Sequence, residues 1–253
     1  RVLPALALSL AGAAPAAAQD PFEVQVYLYE TVTKGYWNLE THLNRVVRGE
    51  KLAAGPVAAT EGQNHLTFEL TRGVTDNFEM AGYLVFSSRQ GTTGELVAWR
   101  LRPRWRVPEG KLPFKFSFSL ESAFLRADTY QPADITLEIR PIFEGNLAKF
   151  LLAANPVVGK SIKGPGSTDG LDFEPGLHIG YPATEKLEVS LEYYGSTGEI
   201  TDPLPAAQQV HQFFPGFDYR FNDATIFNFG VGFGATNVGN TLVVKMRFGK
   251  MFK

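Results

Sequence analysis

From Tyr36 to Phe252 apolar and polar residues alternate along the chain, in segments bounded by clusters of Gly, Asn, Asp and Pro. A period of two belongs to a β-strand whose faces meet different surroundings, and no helical period persists. Twelve strands are predicted: Tyr36–Val46, Asn64–Arg72, Asn77–Ser87, Leu96–Val107, Pro113–Arg126, Ile135–Glu144, Leu147–Lys160, Leu171–Tyr181, Lys186–Gly195, Gln208–Arg220, Thr225–Gly234 and Asn240–Phe252. The fourth is the clearest. Arg100, Arg102, Arg104 and Arg106 share one face, while Trp99, Leu101, Pro103, Trp105 and Val107 share the other. In a water-soluble sheet the arginines would look outward and the tryptophans inward. The reverse is expected here, with arginines lining a narrow lumen and tryptophans facing lipid. The fold class is all-β: a closed antiparallel transmembrane β-barrel of about 12 strands. A soluble sandwich is the alternative, but its second face would rarely be charged so regularly.

Connections alternate in length. Short turns are expected at Gly73–Asp76, Glu109–Lys111, Glu144–Asn146, Ala183–Glu185 and Asn222–Ala224. Longer loops are expected at Arg48–Gln63, Arg89–Gly94, Asp128–Pro132, Lys163–Gly170 and Ser196–Ala207, with Thr236–Gly239 shorter than its side predicts. Outer-membrane barrels have short periplasmic turns and longer external loops, and an even strand number puts both ends in the periplasm. Phe22–Glu30 alternates as well (Val24, Val26, Leu28 against Glu23, Gln25, Tyr27), yet a thirteenth strand would break that parity. Residues 19–35 are therefore expected as an extended N-terminal segment on the periplasmic side or entering the lumen, with residues 36–252 as the barrel. Pro103, Pro141, Pro156, Pro175 and Pro215 fall inside strands, all on the lipid-facing parity. Proline cannot donate to a ladder and a closed barrel has no edge, so each should mark a bulge or a broken bond.

Residues 1–18 read as a secretory signal, with a short Leu/Ala core and a small-residue run ending at Ala18; a buried Ala/Leu helix is the alternative. Export agrees with the absence of cysteine, which leaves no disulfide framework, thiolate metal site or thiol nucleophile. The 24 Lys+Arg against 26 Asp+Glu give no reason to expect nucleic acid as a partner. After the N-terminus no apolar run approaches the roughly 18 residues a membrane helix needs, but strands evade that count because alternate residues meet lipid. Trp37, Trp105, Tyr181, Tyr193, Tyr219, Phe248 and Phe252 gather near strand ends on the outward face, as interfacial girdles do. The expected location is the bacterial outer membrane, with lipid as the surrounding partner and a monomer as the expected state.

The inward face supplies the candidate pore lining: Arg100, Arg102, Arg104, Arg106, Glu79, Glu121, Glu138, Arg140, Glu174, Glu192, Lys245 and Arg247. Lys115 and Lys149 add cations, and Glu40, Glu69, Asp172, Glu188 and Asp218 add anions, so the two signs nearly balance. Hairpin register puts Glu79 near Arg104, Glu121 diagonal to Arg100, and Ser117 and Ser119 beside the arginine ladder. Such pairing lowers the cost of confining charge. Two functions fit. A wetted lumen would pass small polar or anionic solutes, whereas a lumen filled by neutralised ion pairs would make a non-conducting structural or surface-binding barrel. Gly230, Gly232 and Gly234 strip one wall of side chains, leaving space for a constriction or for the long arginines opposite.

No enzyme, metal or cofactor is expected. His42, His65, His178 and His211 are scattered over four strands without metal-ligand spacing. Ser122 and His211, the outward pair a barrel lipase would need, lie on distant strands.

The runs Glu30-Thr-Val-Thr-Lys-Gly-Tyr-Trp-Asn-Leu-Glu-Thr-His-Leu-Asn44, Leu101-Arg-Pro-Arg-Trp-Arg-Val-Pro-Glu109 and Glu138-Ile-Arg-Pro-Ile-Phe143 resemble a family of bacterial outer-membrane barrels. That family is similar in outline to the group named after the MetA pathway of phenol degradation. The resemblance implies an outer-membrane barrel acting in transport, and it carries over no functional residue. The closing strand departs from the usual pattern by ending Phe252-Lys253, without a terminal aromatic.

Overall fold

The computed structural model describes residues 20–253, so the expected signal at residues 1–18 lies outside the described residues. The strands are β1 (Trp37–Arg48), β2 (Asn64–Thr75), β3 (Phe78–Ser88), β4 (Glu95–Arg106), β5 (Lys115–Leu125), β6 (Ile135–Leu147), β7 (Phe150–Lys163), β8 (Asp172–Pro182), β9 (Leu187–Ser196), β10 (Val210–Asn222), β11 (Thr225–Gly234) and β12 (Leu242–Phe252). Each pairs antiparallel with its chain neighbours, and β1 pairs with β12 to close the barrel. The seam is fully zipped, from Trp37 opposite Phe252 to Val46 opposite Val243. A closed ring leaves no unpaired edge, which is what a wall in hydrocarbon requires.

Residue parity sorts the two faces. In β4, Arg100, Arg102 and Arg104 are buried, while Trp99 and Leu101 are exposed and Trp105 is 36% exposed. The same contrast holds around the ring: Leu39, Phe68, Leu84, Ile139, Leu177, Leu191, Phe213 and Met246 are all exposed. So continuous an apolar belt would be an aggregation surface in water and is a lipid contact in a membrane. Aromatic pairs knit neighbouring strands across it, with Trp99 stacked on Phe124 at 3.9 Å and Trp105 on Phe118 at 5.1 Å.

Three local departures have physical causes. The turn expected at Glu144–Asn146 lies further on, at Ala148 and Lys149, because Gly145, Asn146 and Leu147 continue the ladder opposite Leu152, Leu151 and Phe150. Unpaired backbone in the wall is costly, and that outweighs the turn preference of Gly-Asn. Ala148 then takes φ 54 to reverse the chain, and Lys149 is exposed at the turn instead of lining the lumen. In β4 a bulge sets Val85 opposite Ala98 but Phe86 opposite Leu96, so Val97 turns inward with Ala98 and both are buried.

Four of the five strand prolines sit where ladders lapse without losing register, while Pro175 pairs with Pro156 across β7 and β8. β4 and β5 pair at Leu101–Ser122 and again at Arg104–Ser119, on either side of Pro103. β6 and β7 pair at Ile139–Val158 and again at Phe143–Ala154, around Pro141 and Pro156. β10 and β11 pair at Phe213–Phe233 and again at Gly216–Gly230, around Pro215. Broken bonds, not bulges, accommodate these four, and the alternation of faces survives each break.

Candidate functional site

The site is the lumen, and its central element is not a strand. Residues 20–36 run lengthwise through the barrel, from the long-loop end down to the short-turn end where β1 begins. Phe22 packs with Tyr83, Val85, Val97 and Tyr130 near the loops. Val24 and Val26 pack with Ala153, Tyr194, Phe214 and Val243 on the opposite wall. Tyr29 donates to the Val107 carbonyl, and Gly35 bonds Gly73 at the turn end. Its two faces therefore serve two protein walls, aliphatic on one side and polar on the other.

Among the described residues no backbone-to-backbone bond joins residues 21–32 to the wall. Side chains of the wall take that role. Asn155 holds both groups of Tyr27, accepting from its N–H at 2.7 Å and donating to its carbonyl at 3.0 Å. Glu144 accepts from the Tyr29 N–H and Glu79 from the Val32 N–H. Asn44, Thr67, Lys245, Arg140 and Arg104 donate to the carbonyls of Pro21, Phe22, Val24, Gln25 and Leu28. A buried polar backbone must find partners, and here the wall supplies them one by one.

The arginine ladder faces this segment. Arg100 binds Asp20 and, at 2.9 Å, Glu121. Arg102 lies between Glu69 at 2.6 Å and Glu79 at 3.2 Å. Arg104 reaches Glu79 at 2.8 Å, and Arg106 binds Glu30. Ser119 stands opposite Arg104 and Ser117 opposite Arg106. Tyr27 is the hub: the guanidiniums of Arg102 and Arg140 each lie 4.5 Å from its ring, and its hydroxyl donates to Glu23. Arg140 also binds Glu138 at 2.8 Å, and Glu174 joins both around a small pocket near Asp20.

The facing wall carries a second network. Lys245 binds Glu192, and His178 sits between Glu188 at 3.1 Å and Glu192 at 3.4 Å. Arg247 spans Glu40 at 2.8 Å and Asp218 at 3.4 Å. The sequence-derived lining residues thus fall into two groups, Arg100 to Arg106 with Glu79, Glu121, Glu138, Arg140 and Glu174, and Glu192 with Lys245 and Arg247. The segment lies between them. Its own Asp20, Glu23, Tyr27, Tyr29 and Glu30 were not among the candidates. Their signal was the alternation of Phe22–Glu30, and nothing in the residues said which arginines they would meet.

The interior is filled unevenly. Toward the loops it is packed by the apolar clusters around Phe22 and Val24. Toward the turns a cavity of about 750 Å³ opens, bordered by turn residues such as Glu185 and Asp223. Nine carboxylates line it against six Lys and Arg. The glycines of β11 leave no void: the Phe214 ring lies over Gly232, and the Lys245 stem approaches the Cβ position of Gly230 to 3.0 Å.

No family model matches the chain, and no curated protein matches its sequence. Solved structures do share its fold. The barrel is similar to an outer-membrane channel from Pseudomonas putida F1, with a TM-score of 0.66 at 12% identity over 91% of this chain and 100% of that one. The translocator domain of the autotransporter NalP from Neisseria meningitidis matches with a TM-score of 0.47 at 12% identity, over 88% and 89% of the two chains. The outer membrane protein Omp33 of Acinetobacter baumannii matches with a TM-score of 0.46 at 9% identity, over 85% and 97%. Identities this low speak to fold. Together with the apolar belt, that fold is the outer-membrane barrel of bacteria.

Proposed function

We propose that the protein is an outer-membrane channel for small solutes whose lumen is narrowed by its own residues 20–36. The observation that carries this reading is the way the lumen is filled. A twelve-stranded ring is wider than its side chains alone can fill, and here the space is taken by a segment with no ladder bonds to the wall between residues 21 and 32. Hydrogen bonds to single side chains break one at a time, whereas a ladder does not. The short-turn end faces the periplasm in this reading, so the open cavity is a periplasmic vestibule.

The arginine ladder is spent on carboxylates, three of them (Asp20, Glu23 and Glu30) brought by the segment. With nine carboxylates against six basic side chains, the vestibule favours cations and neutral polar solutes over anions. The sequence resemblance to outer-membrane barrels similar in outline to the MetA-pathway group agrees with transport, and no residue role rests on it. Single-channel recording tests the reading: deleting residues 22–30 should raise a small, cation-preferring conductance several-fold. The packed loop-side half favours a second reading, a non-conducting barrel. A deletion variant that folds and stays silent would establish that one instead.

A further inference from the structure

The segment and the wall meet at a cluster that the ion-pair network leaves incomplete. Glu23 of the segment, His42 of β1 and Glu69 of β2 each bring one ligand atom to a common point, all within 4.8 Å of one another. His42 is 1% exposed and Glu69 2%. His42 Nε2 and Glu69 Oε2 lie 3.6 Å apart, and neither has a hydrogen-bond partner within 3.5 Å among the described residues. The other carboxylate oxygens are already held: Glu69 Oε1 by Arg102 and by Thr71 at 2.7 Å, Glu23 Oε1 by the Tyr27 hydroxyl. Outer contacts of this kind orient metal ligands. At 3.6 Å a buried imidazole nitrogen and a buried carboxylate oxygen face each other too far apart for a good hydrogen bond, at a spacing that leaves room for an ion between them.

We propose that Glu23, His42 and Glu69 bind one divalent transition cation of the zinc type, fastening the threaded segment to β1 and β2. An ion bonded at about 2.0–2.2 Å to each ligand brings the ligand atoms to roughly 3.5 Å from one another. His42 and Glu69 already stand at that spacing, and the Glu23 ligand atom lies within 4.8 Å of both. One nitrogen with two oxygens suits zinc or manganese and is poorer for calcium or magnesium, which take oxygen ligands. Glu40 Oε2, 3.6 Å from His42 Nε2, stands by as a fourth ligand.

The surrounding charge permits it. Arg100, Arg102, Arg104 and Arg247 are shared among Asp20, Glu23, Glu40, Glu69, Glu79, Glu121 and Asp218, so acid exceeds base around the cluster. The neighbouring group Asp20, Glu23 and Glu121 lacks this opening, because Arg100 already sits on it. The site stands whether or not the barrel conducts.

The test uses the full-length barrel in detergent, titrated with zinc chloride. Wild type should take up one Zn²⁺ per chain, with Glu23→Gln and His42→Gln each weakening it at least about tenfold. His178→Gln, on the opposite wall, should leave binding unchanged. Zn²⁺ should also slow amide exchange at residues 22–30 in wild type and not in His42→Gln. Undiminished affinity in both variants, or calcium binding as tight as zinc, would overturn the proposal. Zinc-edge X-ray absorption on wild type needs no variant to fold: a single imidazole among oxygen ligands supports the site, and two or more imidazoles refute it.

Discussion

Arg102 illustrates how charge is tolerated inside this wall. At 2% exposure it is surrounded by Glu69, Glu79 and the rings of Tyr27 and Tyr83. Its worth lies less in net attraction than in what its removal would strand. Arg102→Ala leaves two buried carboxylates short of a partner and should destabilise the barrel by about 3–5 kcal/mol, read from urea unfolding in lipid. Tyr27→Ala should act differently. It removes a ring from the guanidiniums of Arg102, Arg104 and Arg140 and a donor from Glu23 without touching a strand, so the barrel should remain heat-modifiable on gels. The segment should loosen, read as faster amide exchange at residues 22–30. Part of this was legible. Strand register alone sets Glu79 by Arg104 and Ser119 opposite it. The partners Asp20 and Glu30 were not legible, because no ladder ties residues 20–30 to a register and so nothing fixes which wall residue each one meets.

At the scale of elements, strict alternation made the twelve strands readable, since lipid and lumen impose opposite demands on neighbouring residues. Reading failed where one local preference met a stronger demand. Gly145-Asn146 looks like a turn, and the ladder overrides it. Val97 has outward parity, and a bulge turns it inward. Alternation in Phe22–Glu30 was real but ambiguous, because a two-faced extended segment looks the same between two protein walls as between lipid and water. The glycines of β11 were open to two readings, and the structure supports neither: Phe214 and Lys245 lie across them. Gly232→Leu should therefore displace the Phe214 ring, which packs with Val24 and Val26. A destabilisation of about 1–3 kcal/mol is expected from overpacking, measured by unfolding, with faster exchange at Val24 and Val26.

For the whole molecule, the outer surface decides the medium. Trp99 and Trp105 lie on the apolar belt of β4, each stacked on a phenylalanine of β5. In vesicles of brominated lipid both should be quenched, and a water-soluble quencher such as iodide should leave them bright; the opposite pattern would turn the barrel inside out. Net charge across the chain is −2, a figure that hides a local imbalance, since nine carboxylates against six Lys and Arg border the cavity at the turn end.

The threading of residues 20–36 also constrains how the molecule is made. β1 and β12 are the strands farthest apart in the chain, so their pairing closes the largest loop and carries the greatest entropic delay. The residues just before β1 already occupy the middle of the ring. A cylinder sealed first would have to be re-entered end-on by a loose thread, whereas one sealed last can be wrapped round it like sheet metal round a mandrel. Bulky cargo fused ahead of Asp20 should therefore stall the final seam while leaving the hairpins from β2 to β11 formed.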